Sequence, residues 1–409
     1  MIASAFSRWS NDQAYRWLYG ASLAMSGLVI GISPARADVF DTVQAHGFMS
    51  QALIISRHND FFGPSTQDGG SLQYTEVGAN VSMRPTNNLL ISAQVLSRRA
   101  GDDNENYEPR LDYGLLDYQL LANNHRSAGF QIGRIKHPYG LYNQTRDIAF
   151  TRPGILLPQS IYFDRTRSFG LSSDGVLLYE EERLSNGILY FYVGGGLPNF
   201  GSDAENALSF PGDNSPSMDG SYSTLGQIRY EHEGGKVVLA LSAADVNANF
   251  DTKNASVGNG KFKFQPIALS AQYNSADWSL TTEYALRRRK ISGLDVSELN
   301  RDVVGDSWYL QYDRRLFEDW RWLVRYDVMA NNWRDRSGKQ YENDNHGPAY
   351  SRFARDLTLG LKWQPQPNLL LSTEYHHVDG TGWIPPSDNK TSDTERYWDM
   401  MMFQASFLF

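Results

Sequence analysis

The chain has 409 residues, no cysteine and 13% aromatic residues, yet its mean hydropathy is −0.48. The missing cysteines exclude disulfides and thiolate metal sites, and a net charge of −8 argues against nucleic acid as a partner. Past residue 37 no apolar run approaches the roughly 20 residues of a membrane-crossing helix.

Residues 1–37 are the first predicted element. Arg8 and Arg16 precede an apolar stretch from Trp17 to Ile32, Pro34 breaks it, and Ala35-Arg36-Ala37 follows. This is the layout of a secretory signal peptide cleaved between Ala37 and Asp38, leaving residues 38–409 as one exported domain.

Sixteen strands are predicted next, at 43–56, 72–84, 89–99, 111–123, 127–137, 168–181, 186–196, 222–233, 236–247, 261–274, 278–290, 303–316, 320–331, 352–364, 369–379 and 397–409. Each meets or exceeds the about 9–11 residues that a tilted strand needs to cross a bilayer. Strand 89–99 sets Leu89, Ile91, Ala93 and Val95 against Ser92, Gln94 and Arg98. Strand 278–290 sets Trp278, Leu280 and Tyr284 against Thr281, Glu283, Arg287 and Arg289. Strand 320–331 sets Trp320, Trp322, Val324 and Tyr326 against Arg321, Arg325 and Asp327. Strand 352–364 sets Leu357, Leu359, Leu361 and Trp363 against Asp356, Thr358 and Lys362. One face is greasy and the other wet, which also reconciles abundant aromatics with a polar mean. The last strand is less regular. Met401, Phe403, Ala405, Phe407 and Phe409 share a face, but Met402 and Leu408 fall on the polar side and Asp399 on the apolar side.

The connections alternate in length. Short turns are predicted at 85–88, 124–126, 182–185, 234–235, 275–277, 317–319 and 365–368, and most hold Gly, Pro, Asn, Asp or Ser. Longer polar loops fall between them at 57–71, 100–110, 138–167, 197–221, 248–260, 291–302, 332–351 and 380–396. The pattern predicts an all-β, up-and-down antiparallel transmembrane barrel with short periplasmic turns and long extracellular loops. Such a sheet must close, because hydrocarbon tolerates no unpaired backbone edge. Phe409 should pair back toward the first strand near Val43. Trp278, Trp320, Trp322, Trp363 and Phe409 should lie outside, near the periplasmic interface.

Sixteen strands enclose a lumen too wide for wall side chains alone to fill. The third loop, 138–167, is the longest, and its Leu141, Ile148, Phe150, Ile155, Leu156, Leu157 and Ile161 are poorly suited to bare water. A loop of this kind is expected to fold into the lumen, lay its apolar side on the inner wall and narrow the pore.

Gly133-Arg134-Ile135-Lys136-His137-Pro138-Tyr139-Gly140-Leu141-Tyr142-Asn143, followed by Thr145-Arg146-Asp147, resembles the segment that leads into the third loop of the phosphate-selective porin O/P-like group. The layout and terminal Phe409 resemble Gram-negative outer-membrane porins more widely. The resemblance implies a homotrimer with a constriction at this loop, surrounded by outer-membrane lipid and lipopolysaccharide. It also implies that Phe409 is the signal read by the β-barrel assembly machinery. Phosphate selectivity is not implied, since no ladder of arginines can be matched.

Charges on predicted inward faces are candidate pore residues. They are Arg98, Arg287, Arg289, Arg321, Arg325, Glu283, Asp327 and Glu374, with Arg146, Asp147, Arg152, Arg165 and Arg167 in or beside the loop. Arginines in a narrow lumen favour anions; the competing fate is wall-bracing ion pairs. Arg288 and Lys290 point outward at the extracellular end, where lipopolysaccharide phosphates would meet them. His376 and His377 fall on opposite faces, so they make no paired metal site, and no cofactor is expected. The expected function is passive diffusion of small polar or ionic solutes, with a lean toward anions. The alternatives are a barrel lipase or protease, whose relatives resemble smaller barrels, and a receptor or adhesin, for which the loops are short.

Overall fold

The computed structural model describes residues 42–64, 69–101, 107–202, 204–205, 217–384 and 388–409. The predicted signal segment, with Ala37 and Asp38, lies outside them. The strands are β1 (Gln44–Arg57), β2 (Ser71–Thr86), β3 (Leu89–Ala100), β4 (Arg110–Ala122), β5 (Arg126–Lys136), β6 (Ser172–Leu184), β7 (Gly187–Pro198) and β8 (Ser217–His232), then β9 (Val237–Asp251), β10 (Asn259–Asn274), β11 (Trp278–Ser292), β12 (Arg301–Phe317), β13 (Trp320–Ala330), β14 (Phe353–Gln366), β15 (Leu369–Asp379) and β16 (Tyr397–Leu408). Each pairs antiparallel with the next, and β16 pairs with β1, so the sheet closes into a sixteen-stranded barrel. No described helix is long and apolar enough to cross a membrane.

The alternation expected from the sequence governs which side chains face inward. On β11, Leu280 and Tyr284 are each 39% exposed, whereas Thr281 and Glu283 between them are buried. On β13, Tyr326 is exposed while its neighbours Arg325 and Asp327 are buried. Outside, at the short-turn end, aromatic rings form a chain. Trp278 lies 5.2 Å from Tyr273 and 5.8 Å from Tyr312, Tyr312 lies 5.6 Å from Trp322, and Trp320 stacks on Trp363 at 5.3 Å. Phe409 is 58% exposed on the same outer face.

Several boundaries differ from the sequence reading. Phe409 exchanges backbone hydrogen bonds with Gly47, not with Val43, because the β1–β16 register sets Phe48 opposite Leu408. Residues Arg167–Leu171 form a short helix, so β6 starts at Ser172 rather than 168. The β9–β10 hairpin continues past the predicted ends, to Asp251 and from Asn259, which leaves a fifth long-loop connection of only 252–258. Asp399 on the outer face is accounted for by Tyr375, whose hydroxyl it accepts at 2.6 Å, and by His377 Nδ1 at 2.8 Å.

Candidate functional site

The connection between β5 and β6, here L3 (137–171), folds into the barrel. Its apolar residues are buried: Leu141, Phe150, Ile155, Leu156, Leu157 and Ile161 are all at most 9% exposed. They sit on inward-facing apolar residues that interrupt the wet face of the wall. Ile155 and Leu156 pack with Ile54, Met400, Met402 and Trp398. Leu141, Leu157 and Ile161 pack with Val238, Ala240, Ala268, Ala285 and Tyr309. Phe150 and Ile148 meet Leu370 and Leu408. Met402 and Leu408, which break the alternation of the last strand, are therefore part of the seat on which L3 rests.

Polar contacts fix the loop around most of the wall. Gly140 donates its N–H to Ser242 at 3.1 Å, and Gln227 donates to its carbonyl at 2.9 Å. Gly140 has a φ of +59°, and a Cβ there would collide with the Tyr162 hydroxyl, so glycine is required on both counts. Glu283 accepts from Tyr162, Ser270, Tyr309 and the Leu141 N–H. Glu374 accepts the Leu156 N–H at 3.0 Å, Arg325 donates to the Leu156 carbonyl at 3.1 Å, and Asp327 accepts the Ser160 N–H at 3.2 Å. Lys362 donates to the Arg152 carbonyl at 2.6 Å.

On the opposite side the loop is tied by ions. Glu76 receives Arg98 at 3.2 Å, Arg152 at 3.0 Å and Arg167 at 3.0 Å. Asp147 joins Lys136 and Arg167, Lys136 also meets Asp112 at 2.6 Å, and Asp164 joins Arg98 and Arg146. Arg165 pairs with Asp388, donates to the Ala100 carbonyl at 2.6 Å and lies over Phe61 and Phe62. Burial and the neighbouring Arg167 lower the Arg146 guanidinium to about 10, against the pull of Asp164.

Of the two fates open to these charges, ion pairing is the one several of them show. Arg98, Arg146, Asp147, Arg152, Arg165 and Arg167 are buried, and each is ion-paired: Arg98 and Arg146 with Asp164, Arg152 with Glu76, Arg165 with Asp388 and Arg167 with Asp147, which braces the loop. Glu283, Arg325, Asp327 and Glu374 face inward and hold the loop. Arg321, about one-third exposed, pairs with Asp313 at 2.5 Å. The physical reason is burial: a charge pressed between loop and wall is retained only with a partner. Arg288 faces outward and pairs with Asp302 at 2.6 Å. His376 is buried between Asp356 and Glu374, while His377 is exposed. No cluster of His, Cys, Asp or Glu able to hold a metal occurs among the described residues.

Arg287 and Arg289 are different. They line a cavity of about 130 Å³ between L3 and the wall of β8–β11, with Tyr139, Arg146, Ile161, Arg167, Val246, Phe262, Phe264 and Pro266. Arg287 reaches only the Met329 sulfur at 3.4 Å and the Ala330 carbonyl at 3.5 Å, and Arg289 reaches Asn331 at 3.1 Å. Among the described residues neither has a carboxylate within ion-pairing distance. Sequence parity placed both arginines inward but gave no way to separate them from the paired ones.

The sequence segment Gly133–Asp147 acquires a structural meaning here. His137 Nδ1 donates to the Gly170 carbonyl at 3.2 Å, and Asn143 donates to the carbonyls of His137 and Gly170, each at 3.0 Å. With the Lys136–Asp147 pair, these contacts close the neck of L3. The segment thus carries the contacts that turn the loop inward.

A closed sixteen-stranded antiparallel barrel with its third long loop inside is the porin fold. Solved structures similar to this chain share it. The anion-selective porin from Comamonas acidovorans aligns at 12% identity and a TM-score of 0.56, covering 90% of this chain and 99% of that one. The outer membrane channel DcaP of Acinetobacter baumannii aligns at 11% and 0.57, covering 90% and 97%. OmpT of Vibrio cholerae, an outer membrane protein in trimer form, aligns at 11% and 0.51, covering 90% and 99%. No protein-family model and no curated sequence matches the chain.

Proposed function

We propose that this chain forms a water-filled channel in the outer membrane of a Gram-negative bacterium, for passive diffusion of small polar or ionic solutes, with a weak preference for anions. The observation that carries the reading is L3 laid across a closed barrel, leaving a cavity beside Arg287 and Arg289, which have no carboxylate within ion-pairing distance among the described residues. The porin fold, shared with an anion-selective porin and with an outer membrane channel, supports it. A homotrimer is the assembly proposed, as for the OmpT trimer form. Residues 1–37 would be removed after Ala37, and Phe409 would be read by the assembly machinery. Lipopolysaccharide would meet the outward Arg288 and Lys290, the former in competition with Asp302.

The test is electrical. The full chain in planar bilayers should give stepwise conductance, and a potassium chloride gradient should give a reversal potential on the anion side. Replacing Arg287 and Arg289 together by Gln should move that potential toward zero. Absence of conductance steps, or a cation-side potential in the unaltered chain, refutes the reading.

A further inference from the structure

The cavity beside L3 is not lined as a site for a fully hydrated ion would be. In the β10–β11 register Phe264 stands opposite Arg289 and Pro266 opposite Arg287, and across β9–β10 Phe264 stands opposite Val246. A cationic column on β11 therefore flanks an apolar wall, which Phe262 extends, while Ile161 of L3 lines the cavity too. The two arginines are held open by their surroundings. Gly305 on β12 carries no side chain where a Cβ would stand 3.4 Å from Arg287 Nη2, and the Nε of Arg287 is buried without a partner. The other guanidiniums of the cavity, Arg146 and Arg167, already serve Asp164, Glu76 and Asp147.

Arg287 donates to a thioether and a carbonyl, while Asp306 and Asp327 act on it from beyond ion-pairing distance, and an arriving carboxylate would add charge-assisted, two-pronged hydrogen bonds. Inorganic phosphate would satisfy the arginines but would shed water against Val246, Phe262 and Phe264 with nothing in return. A carboxylate carrying a ring satisfies both walls. The volume, about 130 Å³, is of the order that accommodates one benzene ring, for which an engineered protein cavity of roughly 150 Å³ suffices. We infer that this cavity is a binding station for small aromatic monocarboxylates, of the benzoate class, lying between L3 and β9–β11. Its role in permeation rests on the channel reading, whereas binding rests on the cavity alone.

Titration calorimetry of the detergent-solubilised full chain should show benzoate binding about tenfold or more tighter than acetate or inorganic phosphate, because only benzoate also buries a ring. Phe264→Ala should bring benzoate to the level of acetate, and Arg287→Gln with Arg289→Gln should abolish benzoate binding. The comparison of the three anions on the unaltered chain needs no variant to fold. Benzoate bound no more tightly than acetate, or phosphate bound more tightly, overturns the inference. Benzoate binding without bilayer conductance would sink the channel reading and leave the site standing. Conductance without benzoate binding would do the reverse.

Discussion

Glu283 on β11 accepts the hydroxyl of Tyr162, on the returning limb of L3, at 2.7 Å. The same carboxylate accepts the N–H of Leu141, on the descending limb, at 3.1 Å, and the hydroxyls of Ser270 at 2.5 Å and Tyr309 at 2.8 Å. Two segments some twenty residues apart in the chain thus converge on one side chain of the wall. All the polar partners around it donate, so it is the acceptor that organises them.

Glu283→Ala should therefore unfasten both limbs together. Hydrogen bonds to a charged group contribute roughly 1.5–3 kcal/mol each, and the orphaned hydroxyls add desolvation cost. A loss of about 3 kcal/mol or more in loop anchorage is expected, with the barrel still closed by its backbone ladder. Limited proteolysis within L3, set against unchanged strand content by circular dichroism, checks this. An L3 as resistant as before would show that Glu283 is not the clasp.

The ion cluster on the other side makes an asymmetric prediction. Arg152→Ala leaves Glu76 with Arg98 and Arg167, so the carboxylate stays compensated. Glu76→Ala leaves three guanidiniums converging on an empty position. Breaking a buried pair costs about 3–5 kcal/mol when a charge is left uncompensated. Glu76→Ala should accordingly be the more damaging by about 2 kcal/mol or more, read from urea unfolding in lipid vesicles. Equal losses would mean that the three arginines find other partners.

The neck of L3 gives a pH dependence. His137 is buried, its Nδ1–H donates to Gly170, and its Nε2 accepts from the Ser173 hydroxyl at 2.9 Å. Burial pushes its ring down to about 4 from an ordinary 6.5. The unfolded chain therefore takes up the proton first as pH falls. The contribution is complete above about pH 6.5, declines down to about pH 4 and levels off below, for a total on the order of 3 kcal/mol. His137→Gln should flatten that decline in thermal midpoints measured between pH 7 and 4. An identical slope in the variant would assign it to other groups.

How far the sequence revealed all this depends on what each feature needs. Strand number, inside-outside parity and loop alternation come from local periodicity, so residues such as Leu280 and Thr281 could be sorted without coordinates. The destination of L3 was legible from its composition alone, because Leu156 and Phe150 do not suit an exposed loop. What could not be read was pairing across the lumen. Glu76 on β2 and Arg167 beside β6 are distant in the chain, and nothing local says that they meet. Arg152 and Arg289 looked alike for the same reason, though Glu76 pairs with the first and no carboxylate among the described residues pairs with the second. The most useful missed signal was the set of inward apolar residues, Met402 and Leu408 among them. Read as a seat instead of as noise, they would have pointed to the strands on which the loop lands.

That seat supplies the last prediction. Leu156 is 1% exposed and packs in the cluster of Ile54, Met402 and Trp398, while its backbone is held by Glu374 and Arg325. Leu156→Asp removes the burial of one leucine, worth roughly 1.5–3 kcal/mol, and places a carboxylate in an apolar seat beside Glu374. The wall does not need the loop, since every strand is paired with both neighbours. The barrel should stay folded while the middle of L3 lifts from β13–β16. If L3 is the constriction, single-channel conductance should then rise, on the order of twofold, as pore width governs permeation. Leu156→Met, which keeps the apolar volume, should leave conductance near its original value. A protease-sensitive loop in the Asp variant with unchanged conductance would show that the current passes elsewhere in the barrel, and that L3 fills the lumen without setting its narrowest point.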